Sequence, residues 1–159
     1  MNDRRIMNAL DTLQGSMAEC FITTEAGRRY NFMQIIDMEF KMDINTTQVP
    51  ILGKSGKGNR PAGWHGTFSG TAHFNQSVLR RMMLEYKNTG RLPPFDMQVT
   101  NEDPSSDAGR QTAIFRQCLI SGGVLAKFDA NSEILDEDIE GTFDDFDFPE
   151  LFALLPGMV

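Results

Sequence analysis

The chain has 159 residues, enough for one domain with one core and too few for two of ordinary size. Hydrophobic residues make up 40% and charged residues 23%, near the globular norm, which argues against wholesale disorder. The net charge of −7 is lopsided: from Asp129 onward ten acidic residues meet no Lys or Arg, a stretch of −10 that leaves +3 on the rest.

That balance argues against the whole chain as a duplex-DNA binder, which needs a basic face to release counterions. The acidic stretch suits a solvated face, a contact with a basic part of a neighbouring subunit, or a wall past which nucleic acid slides. No apolar run approaches the ~20 residues that cross a bilayer. Met1 to Arg5 has two arginines with no apolar stretch behind them, so a soluble protein without an export signal is expected. Cys20 and Cys118 lie far apart with no CxxC spacing, which points to two buried free thiols in a reducing cytoplasm.

In chain order, Ile6, Leu10 and Leu13 suggest a short N-terminal turn or docking arm. Cys20 to Thr24 and Arg29 to Asn31 flank Glu25-Ala26-Gly27-Arg28, a hairpin turn in which Gly27 supplies the positive φ. Phe32 to Ile44 alternates: Met33, Ile35, Asp37, Glu39, Lys41 and Asp43 fall on one side, with Phe32, Ile36, Met38, Phe40, Met42 and Ile44 on the other. A period of two predicts a long strand with one dry face and one charged face. Asp37, Glu39 and Asp43 are therefore candidates for a channel wall or for an outer face.

Asn45 to Gly63 fits no element. It carries Val49, Ile51 and Leu52, then Lys54, Lys57 and Arg60, with several glycines and no acid. So long a connection in a compact domain is either functional or disordered, so the segment is an assembly arm or a flexible hairpin tip. Further strands are predicted at Gly66 to Phe74, Phe95 to Thr100, Thr112 to Ser121, Val124 to Ala130 and Ile139 to Phe148. Ser121-Gly122-Gly123 and Asn101 to Gly109 read as turns. One helix interrupts them from Gln76 to Asn88. Val78, Leu79, Met82, Met83 and Tyr86 recur at helical spacing, Asn75 is the expected N-cap, Phe74 is placed to staple onto Leu79, and Gly90 is the stop. The residues thus predict a mainly β chain, a β-barrel or sandwich with one amphipathic α-helix packed against it.

No catalytic, cofactor-binding or metal-ligating residue stands out. Gly53-Lys54-Ser55 resembles the end of a phosphate-binding loop, but Gln48 stands where that motif needs Gly and the next helix starts far downstream. His65 and His73 have no zinc-site spacing, no GxSxG occurs, and Asp144-Asp145-Asp147 lacks the spaced ligands of a calcium loop.

Gly66-Thr67-Phe68-Ser69-Gly70-Thr71-Ala72, the helical Met82-Met83-Leu84-Glu85-Tyr86 and Phe143-Asp144-Asp145-Phe146-Asp147-Phe148-Pro149-Glu150 follow one another in an order that resembles the XkdM-like family of PBSX-type tail tube proteins. The resemblance runs from about Gly15 to Phe152. It implies a tail tube domain over 15–152, with residues 1–14 as an arm and 153–159 as a tail, and a fold similar to the Hcp tube of type VI secretion. It further implies hexameric rings stacked into the inner tube of a contractile phage tail or tail-like particle. The implied partners are further copies of the chain, a tail sheath protein, and terminator and baseplate proteins, with DNA passing through the lumen without specific binding and no membrane. The implied location is the virion tail, after synthesis in the bacterial cytoplasm. The first fourteen residues and Leu151 to Val159 depart from the family pattern. The competing reading is a single-stranded nucleic-acid-binding barrel that uses Lys54, Lys57, Arg60 and Trp64, against which the acidic balance counts.

Overall fold

The computed structural model describes residues 6–158, so Met1 to Arg5 of the expected N-terminal arm and Val159 of the expected tail lie outside the described residues. Among the described residues eight strands and one α-helix follow a single 3-10 turn at Ala9–Asp11: β1 (Ala18–Thr24), β2 (Arg29–Asn31), β3 (Ile35–Val49), β4 (Gly58–His73), α1 (Val78–Thr89), β5 (Phe95–Glu102), β6 (Arg110–Gly122), β7 (Asp136–Phe143) and β8 (Asp145–Glu150). The pairings with a defined register are all antiparallel. The chain forms two compact units: residues 1–33, 93–117 and 145–159, and residues 34–92 and 118–144.

In the first unit the strands run β2-β1-β5-β6 with β8 paired to β6. The β1–β2 turn is the predicted one, with Gly27 at φ 86° and Thr24 N–H donating to the Arg28 carbonyl at 2.8 Å. Ile22 and Met97 stand opposite each other in the β1–β5 register, and both are buried. Asp103, in the connection after β5, accepts the Gln14 and Ser105 backbone N–H groups, each at 2.9 Å, and those bonds hold its carboxyl below the usual carboxylate range. Ser106 Oγ donates to the Asp11 carbonyl at 2.9 Å, so the N-terminal turn is tied down by hydrogen bonds while Ile6 and Leu10 stay exposed. Cys20 is half-buried, not fully buried as expected, and burial pushes its thiol up to about 12, whereas Cys118 in the second unit is buried.

The predicted strand from Thr112 to Ser121 exists, but its alternation breaks in the middle. Ala113 and Phe115 are buried on odd positions, Cys118 and Ile120 on even ones. Gln117 adopts φ 53°, a left-handed conformation rare for a non-glycine residue, and this bulge-like step shifts the phase by one. The two units divide at that same residue.

In the second unit the order is β6-β7-β4-β3. Four expectations need correction here. The predicted strand at Phe32 to Ile44 starts at Ile35 and runs on to Val49, and a bulge between Ile35 and Asp37 leaves Ile35 half-buried and Ile36 exposed, the reverse of strict alternation. Val124 to Ala130 is not a strand; its β-formers Val124, Leu125 and Phe128 find no partner strand, and Leu125 and Phe128 are exposed. The single strand expected from Ile139 to Phe148 is two, broken at Asp144: β7 pairs β4 and β6, and β8 pairs β6. The helix N-cap is Ser77, without a side-chain cap bond, instead of Asn75.

Helix α1 otherwise follows its sequence. Gly90 at φ 77° donates its N–H to the Tyr86 carbonyl, which ends the helix as the glycine stop requires. Leu79 and Met82 are buried and Val78 and Met83 half-buried, but Tyr86 at 55% exposure lies off the dry stripe. Arg80 ties the helix to its surroundings: it donates to Glu137 at 2.6 Å and to the Val124 carbonyl at 3.3 Å, and its guanidinium lies 4.3 Å from the Phe74 ring centroid. Met82→Asp places an unpaired carboxylate in this packing and is expected to cost at least about 3 kcal/mol. Tyr86→Gln, on the exposed side and adding no negative charge near the helix C-terminus, should stay within about 1 kcal/mol of the parent protein; urea unfolding of both variants checks the pair.

Candidate assembly surfaces

The segment from Asn45 to Gly63, expected to lack regular structure, is most of a long β-hairpin. Val49 pairs Gly58, Gln48 pairs Asn59, Thr47 pairs Arg60 and Thr46 pairs Pro61, leaving only the residues between Val49 and Gly58 as the turn. A register shift between Ile44 and Thr46 absorbs the extra residue on β4, where Gly63 adopts φ 100°. The glycines and prolines that hid these strands are tolerated because the ribbon has only two strands there, so Pro61 removes little from a ladder with a single neighbour.

β7 explains why. It pairs β4 only from Gly66, opposite Phe143, to His73, opposite Asp136. Asp43–Val49 and Gly58–His65 therefore run on past the sheet as a two-stranded ribbon, about 23 Å long at ~3.3 Å per residue. Residues 41–57 are all exposed, with Ile44, Val49, Ile51 and Leu52 among them. The assembly candidates thus fall on one element: Val49 and Arg60 on its paired strands, Ile51, Leu52, Lys54 and Lys57 in its turn. None of the three bases forms an ion pair among the described residues.

Where three strands do pair, the two faces differ sharply. On one, Phe40, Phe68 and Phe143 cluster, with ring centroids 5.6 Å apart for Phe40 and Phe68 and 6.2 Å for Phe40 and Phe143; Trp64 extends the cluster, 6.3 Å from Phe143. The Gly-Thr-Phe-Ser-Gly-Thr run supplies the room. A Cβ at Gly66 would run into the Phe143 ring, one at Gly141 into the Phe68 ring, and one at Gly70 into the Asp37 carbonyl and Met38. Large side chains therefore lie over glycines on the neighbouring strand, which brings the strands' aromatic residues onto one dry face.

The opposite face is polar. Asp37, Thr71 and Asp138 stand in one row across β3, β4 and β7, and Glu39, Ser69 and Glu140 in the next. These six residues line a shallow depression. Asp37 and Glu39 of the candidate channel wall are thus joined by Asp138 and Glu140, which arrive from a strand a hundred residues downstream. Asp43 lies further along, on the ribbon, paired 3.4 Å from His65, and Lys41 lies 3.5 Å from Glu39. Of the residues proposed for single-stranded nucleic acid, Trp64, the aromatic that base stacking needs, packs at Phe143, while Lys54 and Lys57 lie in the turn between Val49 and Gly58.

A family model described as phage tail tube protein matches residues 5–150. The phage-like element PBSX protein XkdM of Bacillus subtilis (strain 168) is 28% identical over 144 residues, covering 91% of this chain and 95% of the relative. The fold is similar to a chain in the sheath–tube complex of the PVC extracellular contractile injection system in its extended state, with TM-score 0.59 at 10% identity over 83% of this chain and 88% of that one. It is also similar to Hcp1 from Flavobacterium johnsoniae, with TM-score 0.51 at 18% identity over 85% and 98% of the two chains. The expected Hcp-like, mainly β fold is what the strands and these likenesses give.

A ribbon of two strands without further cover is marginal in water. In dissociated subunits its amides beyond Ile44 and Trp64 should show protection worth no more than about 1–2 kcal/mol, while Gly66–His73 between β3 and β7 stays protected. Hydrogen exchange read by mass spectrometry separates the two halves of the same strand.

Proposed function

The chain is a member of the phage tail tube protein family, and from that premise we propose that its copies close into hexameric rings stacked as the inner tube of a contractile tail. The tube is the conduit for DNA. A sheath surrounds it, with terminator and baseplate proteins at its ends; the likeness in fold to a chain of a sheath–tube complex supports the sheath as partner. The subunit resides in the virion tail after synthesis in the bacterial cytoplasm. Its role is structural.

The observation that carries this reading is the β3–β4 ribbon, an apolar and basic projection exposed along its length. Burying Val49, Ile51 and Leu52 on a neighbour is worth ~1.5–3 kcal/mol each. Ordering a free backbone would cost ~1–2 kcal/mol per residue and exceed that gain, but the ribbon's own pairing offsets much of the cost before any contact is made. Each added subunit then completes contacts that one subunit alone cannot make, and heterologous contacts repeated in this way close rings and extend along an axis.

The acidic face suits the channel wall. Asp37, Glu39, Asp138 and Glu140 present negative charge with Thr71 and Ser69 between them, so a phosphate backbone passing the wall is repelled and does not stick. Asp43, 3.4 Å from His65, continues the same edge.

Replacing Thr47 to Arg60 by a short Gly-Ser linker removes the ribbon's outer part and leaves the β6-β7-β4-β3 pairing intact. The variant should remain soluble with an unchanged circular dichroism spectrum and form no tubes under negative-stain electron microscopy. Normal tubes from it would mean that the ribbon is a passive insertion.

A further inference from the structure

The segment between β6 and β7, residues 123–135, is not a strand, yet it presents three large apolar side chains to solvent: Leu125, Phe128 at 93% exposure and Ile134. It is also held in place. Arg80 binds the Val124 carbonyl at one end and Phe74 N–H donates to the Leu135 carbonyl at 2.9 Å at the other. Between them Asn131 N–H donates to Asp129 Oδ1 at 3.0 Å and Ser132 Oγ to the Ile134 carbonyl at 2.7 Å. Exposed apolar side chains on a tethered segment mark a contact surface. Its charges are Lys127, Asp129 and Glu133, and Asp136, Glu137 and Asp138 follow directly at the start of β7, so the surface is acidic on balance although Lys127, which donates to the Asp136 carbonyl, keeps its charge.

The tip of the β3–β4 ribbon is the complement. Ile51 and Leu52 are exposed there beside Lys54, Lys57 and Arg60, with no acid between Ile44 and Trp64. The two surfaces lie at opposite ends of one strand. The tip joins β4 at Gly58, whereas the acidic segment enters β7 at Asp136, opposite His73. An extended strand of that length spans about 50 Å, so a subunit's tip cannot reach its own acidic segment.

From this arrangement we infer that the ribbon tip of one copy docks on the Leu125–Ile134 segment of the next, a head-to-tail contact with apolar side chains at its centre and base–acid pairs around them. The inference rests on the tube reading and names both halves of one of its contacts. Repeated in one direction from copy to copy, this contact propagates into a ring or a filament, whereas two copies that made it reciprocally would stop at a two-fold dimer.

The test uses the full chain with Leu52→Cys and Phe128→Cys together, two exposed positions whose change leaves the core untouched. The native thiols compete poorly, Cys118 because it is buried and Cys20 because its raised pKa leaves little thiolate. Mild oxidation of assembled protein should give a ladder of dimers, trimers and longer species on non-reducing gels, and each single-cysteine variant alone should give none. As a second variant, Lys54→Glu with Lys57→Glu should raise the concentration needed for assembly by about tenfold or more, and adding Asp129→Lys with Glu133→Lys should restore it. Tubes that form without a ladder, or a charge reversal that its counterpart does not rescue, would overturn the inference and leave the tube reading standing. A wild-type chain that stays monomeric at high concentration would overturn both.

Discussion

What this molecule can offer a partner depends on a mismatch of strand lengths. β4 has sixteen residues and β7 only eight, so half of the β3–β4 hairpin is held in a sheet and half is not. The held half has a neighbour on each side of β4 and a dry aromatic face. The free half has paired backbone but bare side chains, which is costly to display in water unless something covers them. A subunit that keeps such a ribbon is suited to a partner, and the family to which it belongs is that of phage tail tube proteins.

The sheet that carries the ribbon depends in turn on its glycines. Gly66, Gly70 and Gly141 leave gaps that Phe143, Met38 and Phe68 occupy, so the aromatic residues of three strands share one face. With that face dry, alternation sends Asp37, Glu39, Asp138 and Glu140 to the other, beside threonine and serine. One packing device therefore both anchors the projection and gathers the acidic wall. Arg80 plays a comparable part near His73: its bonds to Glu137 and Val124 connect the helix, β7 and the tethered segment after β6.

Much of this was legible in the residues. The helix declared itself by Leu79 and Met82 at helical spacing and by Gly90, and the first hairpin by Gly27, because both signals are local. The ordered run of glycines, threonines and phenylalanines pointed to the family, and the packing of Phe143 and Phe68 over glycines is a physical reason for that spacing. Other features hid because they depend on contacts distant in sequence. Prolines and glycines between Asn45 and Gly63 read as loop, since their tolerance in a two-stranded ribbon appears only once β7 is known to end at Phe143, opposite Gly66. Val124 to Ala130 read as strand from its β-formers, although no neighbour pairs with it. The phase shift at Gln117 and the bulge at Ile36 carry no local signal, and Asp138 joins Asp37 only through β4 between them.

Self-association with the polar sheet face turned inward is the central claim, and cryo-electron microscopy of the purified chain tests it most directly. Hollow tubes of stacked rings in which Asp37, Glu39, Asp138 and Glu140 line the channel are the expected result. Monomers dispersed at high concentration, or tubes in which that face points outward, would contradict it.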